Sequence, residues 1–178
     1  MRRPWTKGEV VLGLDLSLTG SAAVVLGSGW RPEEPTREVI HHRFGDEGKL
    51  EGIERQAAIV NGIWRLAIKE GVTRAFVEEH SFGKGLMKYA FARAELVGAV
   101  KLSLWSIDRL ATVPVVASGA RKLLFGKQQR MGSKEWKAFI RINFTNMQID
   151  LPDEDTRDAY VVANGGRHVL GLPCLAVV

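Results

Sequence analysis

Near the start of the chain, the apolar run Val10-Val11-Leu12-Gly13-Leu14-Asp15-Leu16 carries a carboxylate close to its end. A short run of this kind reads as a buried strand. A carboxylate there is costly unless it finds a partner. Any fold open to this chain must therefore bring something to Asp15, whether a turn to cap, a counter-charge or a cation.

The segments that follow narrow the choice. Leu18-Thr19-Gly20 makes a turn, and Ser21 to Leu26 reads as the second strand of a hairpin. Arg37 to Phe44 alternates Val39 and His41 against Ile40 and His42, which fits a third strand of the same antiparallel set. From Leu50 to Glu70 the spacing is helical, with Ile53, Ala57, Val60, Trp64 and Ala67 on one stripe and Gly71 as the stop. Arg74 to Glu78 is another apolar strand ending in an acid. Leu86 to Trp105 is a second long helix with Ala90, Ala94, Val97 and Leu104 on its apolar side, and Val113 to Val116 is a strand. The basic stretch Leu123 to Arg130 reads as a loop. Ser133 caps a helix running to about Asn143, and Asp153 to Ala163 forms the last helix, with acids in its first turn. The order β-β-β-α-β-α-β-α-α predicts one α/β domain, a mixed five-stranded sheet with helices on both faces. Residues 1–8 read as a lead-in, 9–170 as the single domain and 171–178 as a tail.

Composition excludes several classes. No apolar run reaches the roughly 20 residues that cross a bilayer, and the basic start MRRPWTKGEVV lacks the apolar core of a secretory signal. A soluble protein of the cytoplasm, without membrane partners, is the expectation. Cys174 is the only cysteine, which excludes an internal disulfide and a cysteine metal cluster within one chain. The net charge of +5 is unevenly spread. Between Lys84 and Arg141 stand 12 Lys and Arg against three acids, a net +9, so the rest of the chain sums to −4. Such polarity fits a face that meets a polyanion, although a solvated basic face with no partner has the same composition.

Four acids, at three places in the chain, fall where chemistry could use them. Asp15 ends the first strand, Glu78 ends the strand after the first long helix, and Asp155 and Asp158 lie three apart on one side of the last helix. Each has a plain alternative. Asp15 could cap the turn that follows, Glu78 and Glu79 could be a solvated strand end, and Asp155 and Asp158 could simply complement the helix dipole. Gathered at one place, the four carboxylates would repel one another and call for a divalent cation with hard oxygen ligands, Mg²⁺ or Mn²⁺.

Several segments resemble one family. Leu12 to Gly20 is similar to the opening strand and turn of RuvC-type Holliday junction resolvases, phage versions especially, within the ribonuclease-H-like superfamily. Phe76 to Gly83 resembles their second acidic strand, Ala94 to Lys101 the helix after it, Gly126-Lys127 with Ser133-Lys134 the basic segment, and Asp155-Thr156-Arg157-Asp158-Ala159-Tyr160 the closing D-x-x-D-A helix. The resemblance spans roughly residues 10–166. It implies a ribonuclease-H-like fold and a homodimer that grips four-way DNA and nicks two opposed strands, leaving 5′-phosphate and 3′-hydroxyl ends. Two Mg²⁺ ions per site, with Mn²⁺ able to substitute, would be held by Asp15, Glu78, Asp155 and Asp158, with no small-molecule cofactor. Glu79 competes with Glu78 for the second position. Lys134 matches a catalytic basic residue near the scissile phosphate, and Phe82 the loop aromatic that meets bases at the branch point. Lys84, Lys88, Arg121, Lys122, Lys127, Lys134 and Lys137 are the expected DNA contacts. Leu96 and Val100 of the second long helix are the expected subunit contact. Arg157, between the two acids of the last helix, departs from the small or apolar residue that is commoner there. The competing readings are a nuclease of RNA–DNA hybrids, a catalytically silent junction-binding protein, and a phosphate-binding ATPase domain. Two such ATPase domains would not fit in 178 residues.

Overall fold

The computed structural model describes residues 9–27, 39–45, 50–79, 87–126 and 133–172. The elements are β1 (Val11–Asp15), β2 (Ser21–Leu26), β3 (Val39–Phe44), α1 (Gly52–Lys69), β4 (Arg74–Glu78), α2 (Met87–Trp105), β5 (Thr112–Val115), α3 (Ala117–Phe125), α4 (Ser133–Asn146) and α5 (Glu154–Val169). The strands form one five-stranded sheet in the order β3-β2-β1-β4-β5. β1 pairs antiparallel with β2, and β2 with β3, whereas β1–β4 and β4–β5 are parallel. This is the expected mixed α/β sheet with helices on both faces.

The period-two alternation of the strands divides the core. Val11, Val24 and Phe76 point to one face, where α5, α3 and α4 cover them. Leu12, Leu14, Ala23, Val25 and Val77 point to the other, against α1 and α2. The first strand is apolar on both sides for this reason.

Gly13 lets α5 lie directly on β1. A Cβ there would stand 2.3 Å from the Ala159 carbonyl oxygen and 2.4 Å from the Ala163 nitrogen. Gly166 does the same for the Phe76 ring, whose Cδ2 would be 2.3 Å from an added Cβ. α1 ends at Gly71, which has a φ of +62°. The Gly71 and Val72 amides donate back to the Ile68 and Ala67 carbonyls at 3.2 and 2.9 Å, the closing pattern of a glycine-ended helix.

Four sequence expectations need correction. Ala117–Phe125 is helical, so Leu123 to Phe125 are not a loop. Ala117, Ala120, Leu124 and Phe125 are buried on this helix, and Gly126, with a φ of +74°, ends it. On α1 the buried stripe is Ile59, Ile63, Leu66 and Ala67, while Ile53 and Trp64 are exposed. On α2, Ala94 is exposed. Leu96 and Val100 sit in the core of their own subunit at 0% and 1% exposure, so they are unable to form a subunit contact. α4 begins at Ser133, as expected, and the side chain expected to cap it lies outside the described residues. No helix among the described residues is long and apolar enough to cross a membrane.

Candidate active site

The same alternation aims two acids at one helix. Asp15 is two residues beyond Gly13, and Glu78 two beyond Phe76, so both face α5 at the carboxyl ends of neighbouring parallel strands. Glu79 lies just past β4 and is exposed, its amide donating to the Val115 carbonyl at 2.8 Å. Glu78, not Glu79, therefore stands against Asp15.

α5 brings the other pair. Asp153 caps it, accepting from the Thr156 amide at 2.8 Å, and the Thr156 hydroxyl completes a reciprocal capping box. Thr156 and Ala159 are fully buried against the sheet, leaving Asp155 and Asp158 on the flank toward Asp15. Arg157 turns away from this flank and donates to the Leu151 carbonyl at 2.9 Å.

The electrostatics show how tightly these groups meet. Asp15 is 13% exposed, against 33% for Asp158 and 42% for Asp155. Burial raises its pKa from the ordinary 3.8 to about 8, helped by the charges of Glu78, Asp158 and Asp155 and a hydrogen bond with Glu78. Burial alone would also raise Asp153. The Thr156 amide and the Arg43 guanidinium outweigh it and hold that carboxyl below the usual range.

Three arginines close the site. Arg43, at the end of β3, reaches Asp155 at 2.8 Å and Asp153 at 3.0 Å. Arg121 of α3 reaches Asp158 at 2.8 Å and lies 5.8 Å from the Trp136 ring centre. Arg93 of α2 donates to the Leu16 carbonyl at 3.0 Å and stands 4.0 Å from Asp15. Of these, only Arg121 was expected from the sequence. Arg43 and Arg93 carry no local signal, because their partners lie far away along the chain.

Among the described residues no three acids, histidines or cysteines are gathered closely enough to hold an ion as they stand. The donor chemistry nonetheless fits a hard divalent cation: four carboxylates, of which burial first and the neighbouring charges second push the innermost one up in pKa. Asp155 and Asp158 are turned onto arginines that a cation would have to displace.

The expected DNA contacts are dispersed. Lys122 and Lys134 are exposed. Lys137 pairs with Glu154 at 2.7 Å, and that hydrogen bond, with the Glu154 charge, holds its ammonium above the ordinary pKa. The same pair ties the first turns of α4 to the start of α5, beside the acids. Phe82, Lys84 and Lys127 lie outside the described residues, as does the side chain of Lys88.

No protein-family model and no curated protein sequence matches the chain. Solved structures do. The Thermus thermophilus RuvC structure is 15% identical with a TM-score of 0.65, covering 91% of this chain and 96% of that one. T. thermophilus RuvC in complex with a Holliday junction substrate gives 15% and 0.66, over 92% and 96%. The yeast mitochondrial Holliday junction resolvase Ydc2 gives 12% and 0.53, over 95% and 82%. The chain thus has the ribonuclease-H-like fold of the RuvC structures over nearly its full length, with Asp15 and Glu78 at the carboxyl ends of the central strands.

Proposed function

We propose that the chain is a metal-dependent endonuclease that resolves four-way DNA junctions by paired nicks, leaving 5′-phosphate and 3′-hydroxyl ends. The observation that carries this reading is the meeting of Asp15, Glu78, Asp155 and Asp158 at one end of the sheet. It is supported by a fold shared with a protein solved on a Holliday junction.

In this reading the four carboxylates hold two Mg²⁺ ions, for which Mn²⁺ can substitute. Such a pair activates a water and stabilises the leaving oxygen of a phosphodiester. The chain's own residues do the rest. The β1 and β4 backbones fix Asp15 and Glu78 on rigid strands. Arg121, with Lys134 and Lys137 on the neighbouring α4, offers positive charge to the phosphates on one side of the acids. Contacts of this kind give affinity without reading base sequence.

Two nicks on opposed strands need two sites related by a two-fold axis, which a homodimer supplies. The face for it is not Leu96 and Val100 but the outer side of α2. Phe91, Leu102 and Trp105 are exposed there at 75%, 72% and 50%. An apolar helix face of this kind, left in water, is expected to have a partner.

One gel separates the alternatives. A mobile four-way junction, a linear duplex and an RNA–DNA hybrid are each incubated with the protein and Mg²⁺. Symmetric nicks in the junction alone support the proposal. Preferential loss of the RNA strand of the hybrid would make the chain a hybrid nuclease instead. Tight junction binding without nicks would make it a silent binder.

A further inference from the structure

A second feature adjoins the acids. The β1–β2 turn, the start of α1 and the first turns of α2 enclose a cleft of about 510 Å³ lined by Ser17, Thr19, Arg55, Gln56, Tyr89 and Arg93 among others. Its floor is rigid. The Ser17 hydroxyl is hydrogen-bonded to the Gly20 carbonyl and accepts from the Gly20 amide at 3.1 Å. Ser21 ties back to the Ser17 carbonyl at 3.1 Å.

Two arginines, Arg55 and Arg93, line this space. Arg93 spans the cleft and the acids, since it also stands 4.0 Å from Asp15. Arg55 is different. Its Nε is buried yet has no hydrogen-bond partner among the described residues. A buried donor of this kind costs stability unless something arrives to accept from it. Tyr89, 58% exposed, stands at the same cleft. Paired arginines, hydroxyls and an exposed aromatic ring are the groups that hold a phosphate and stack an unpaired base.

We infer that this cleft is a nucleotide subsite. It takes the backbone phosphate of a single-stranded or unstacked nucleotide next to the one being cut, with Arg55 and Arg93 on the phosphate and Tyr89 against the base. The inference rests on the reading of the chain as a nuclease of branched DNA. It adds a second anchoring point beside Asp15, reached from α2, whereas Arg121 reaches Asp158 from α3. Arg93 serves both places, so occupancy of the cleft also sets where the strand lies over the acids.

Two substitutions separate the parts. Arg55→Gln removes the charge and keeps the length. Tyr89→Leu removes the ring and keeps an apolar side chain. Junction binding is measured by gel shift in Ca²⁺ over a salt series, beside a thermal melt of each protein. Arg55→Gln should weaken binding about tenfold and flatten the dependence of log Kd on log salt by about one, as loss of one phosphate contact does. Tyr89→Leu should weaken binding by a similar factor with the salt slope unchanged. Wild-type affinity and slope in Arg55→Gln would overturn the subsite while leaving the junction reading intact. A short single-stranded oligonucleotide serves as a second probe, independent of junction recognition. If the wild-type protein ignores junctions, the resolvase reading falls. Weaker binding of the oligonucleotide by Arg55→Gln would still support the subsite, and equal binding would overturn it.

Discussion

At the scale of single residues, Asp15 is buried more deeply than Asp155 or Asp158, and its carboxyl is strongly shifted. Its folded-state pKa of about 8 lies above the ordinary carboxyl value of 3.8, so the folded protein holds that proton more tightly than the unfolded chain. Stability from this group is full below pH 4 and is lost as pH rises toward 8. In metal-free protein, the melting temperature of the wild type should therefore fall across that window relative to Asp15→Asn, which has no charge to bury. Parallel melting curves at pH 5 and pH 8 would show that neither burial nor the neighbouring charges hold the Asp15 carboxyl above its ordinary value. The same substitution should lower cutting by several orders of magnitude while junction binding persists. Asp15 was legible in the sequence because a carboxylate in an apolar strand is anomalous wherever it falls. Glu78 against Glu79 was not settled by spacing. It follows from strand parity, which the packing of Phe76 on Gly166 fixes. The arginine clamps were invisible for another reason. Arg43 and Asp155 are 112 residues apart, and Arg121 and Asp158 are 37 apart, so only the closed fold joins them.

At the scale of elements, α5 positions half of the site. Asp153 holds its first turn, and Asp153→Ala should cost about 1 kcal/mol, the usual loss for a helix cap, read as a lower urea midpoint. An unchanged midpoint would mean that the cap contributes nothing to stability. Gly13 sets how closely α5 approaches β1. Gly13→Ala puts a methyl within 2.6 Å of the Ala163 Cβ and closer still to backbone. Overpacking of this kind costs about 1–3 kcal/mol. Because the helix must move off the strand, cutting should fall in the protein that remains folded. A variant with wild-type melting and cutting would disprove the direct seating of α5. Element order was readable from apolar periodicity, but the helix faces were not. α2 carries apolar residues on several sides, so period alone leaves its phase open. Burial settles it at Leu96, Val100 and Leu104. α3 was missed because Ser118-Gly119 look like turn residues and the basic stretch beyond looks like a loop. Its helix is held by Ala120 and Leu124 packing in the same core as α5.

At the scale of the whole molecule, one sheet end carries the acids and the outer face of α2 carries the exposed apolar residues, so one surface can cut while the other pairs subunits. Phe91→Glu with Leu102→Glu should leave the melting temperature nearly unchanged, since both side chains are exposed, and shift the protein from dimer to monomer by light scattering. A wild type that is already monomeric at micromolar concentration, free and on DNA, would remove the dimer. The central claim is that the acid cluster at the ends of β1, β4 and α5 cuts four-way DNA with divalent metal. Its most direct test is the single-turnover cleavage rate of a four-way junction in Mg²⁺ for the wild type, Glu78→Gln and Glu79→Gln, each repeated in EDTA. Glu78→Gln should lose several orders of magnitude in rate, Glu79→Gln should cut at a near-normal rate, and no protein should cut in EDTA. Wild-type cutting by Glu78→Gln, or undiminished cutting in EDTA, would contradict that claim.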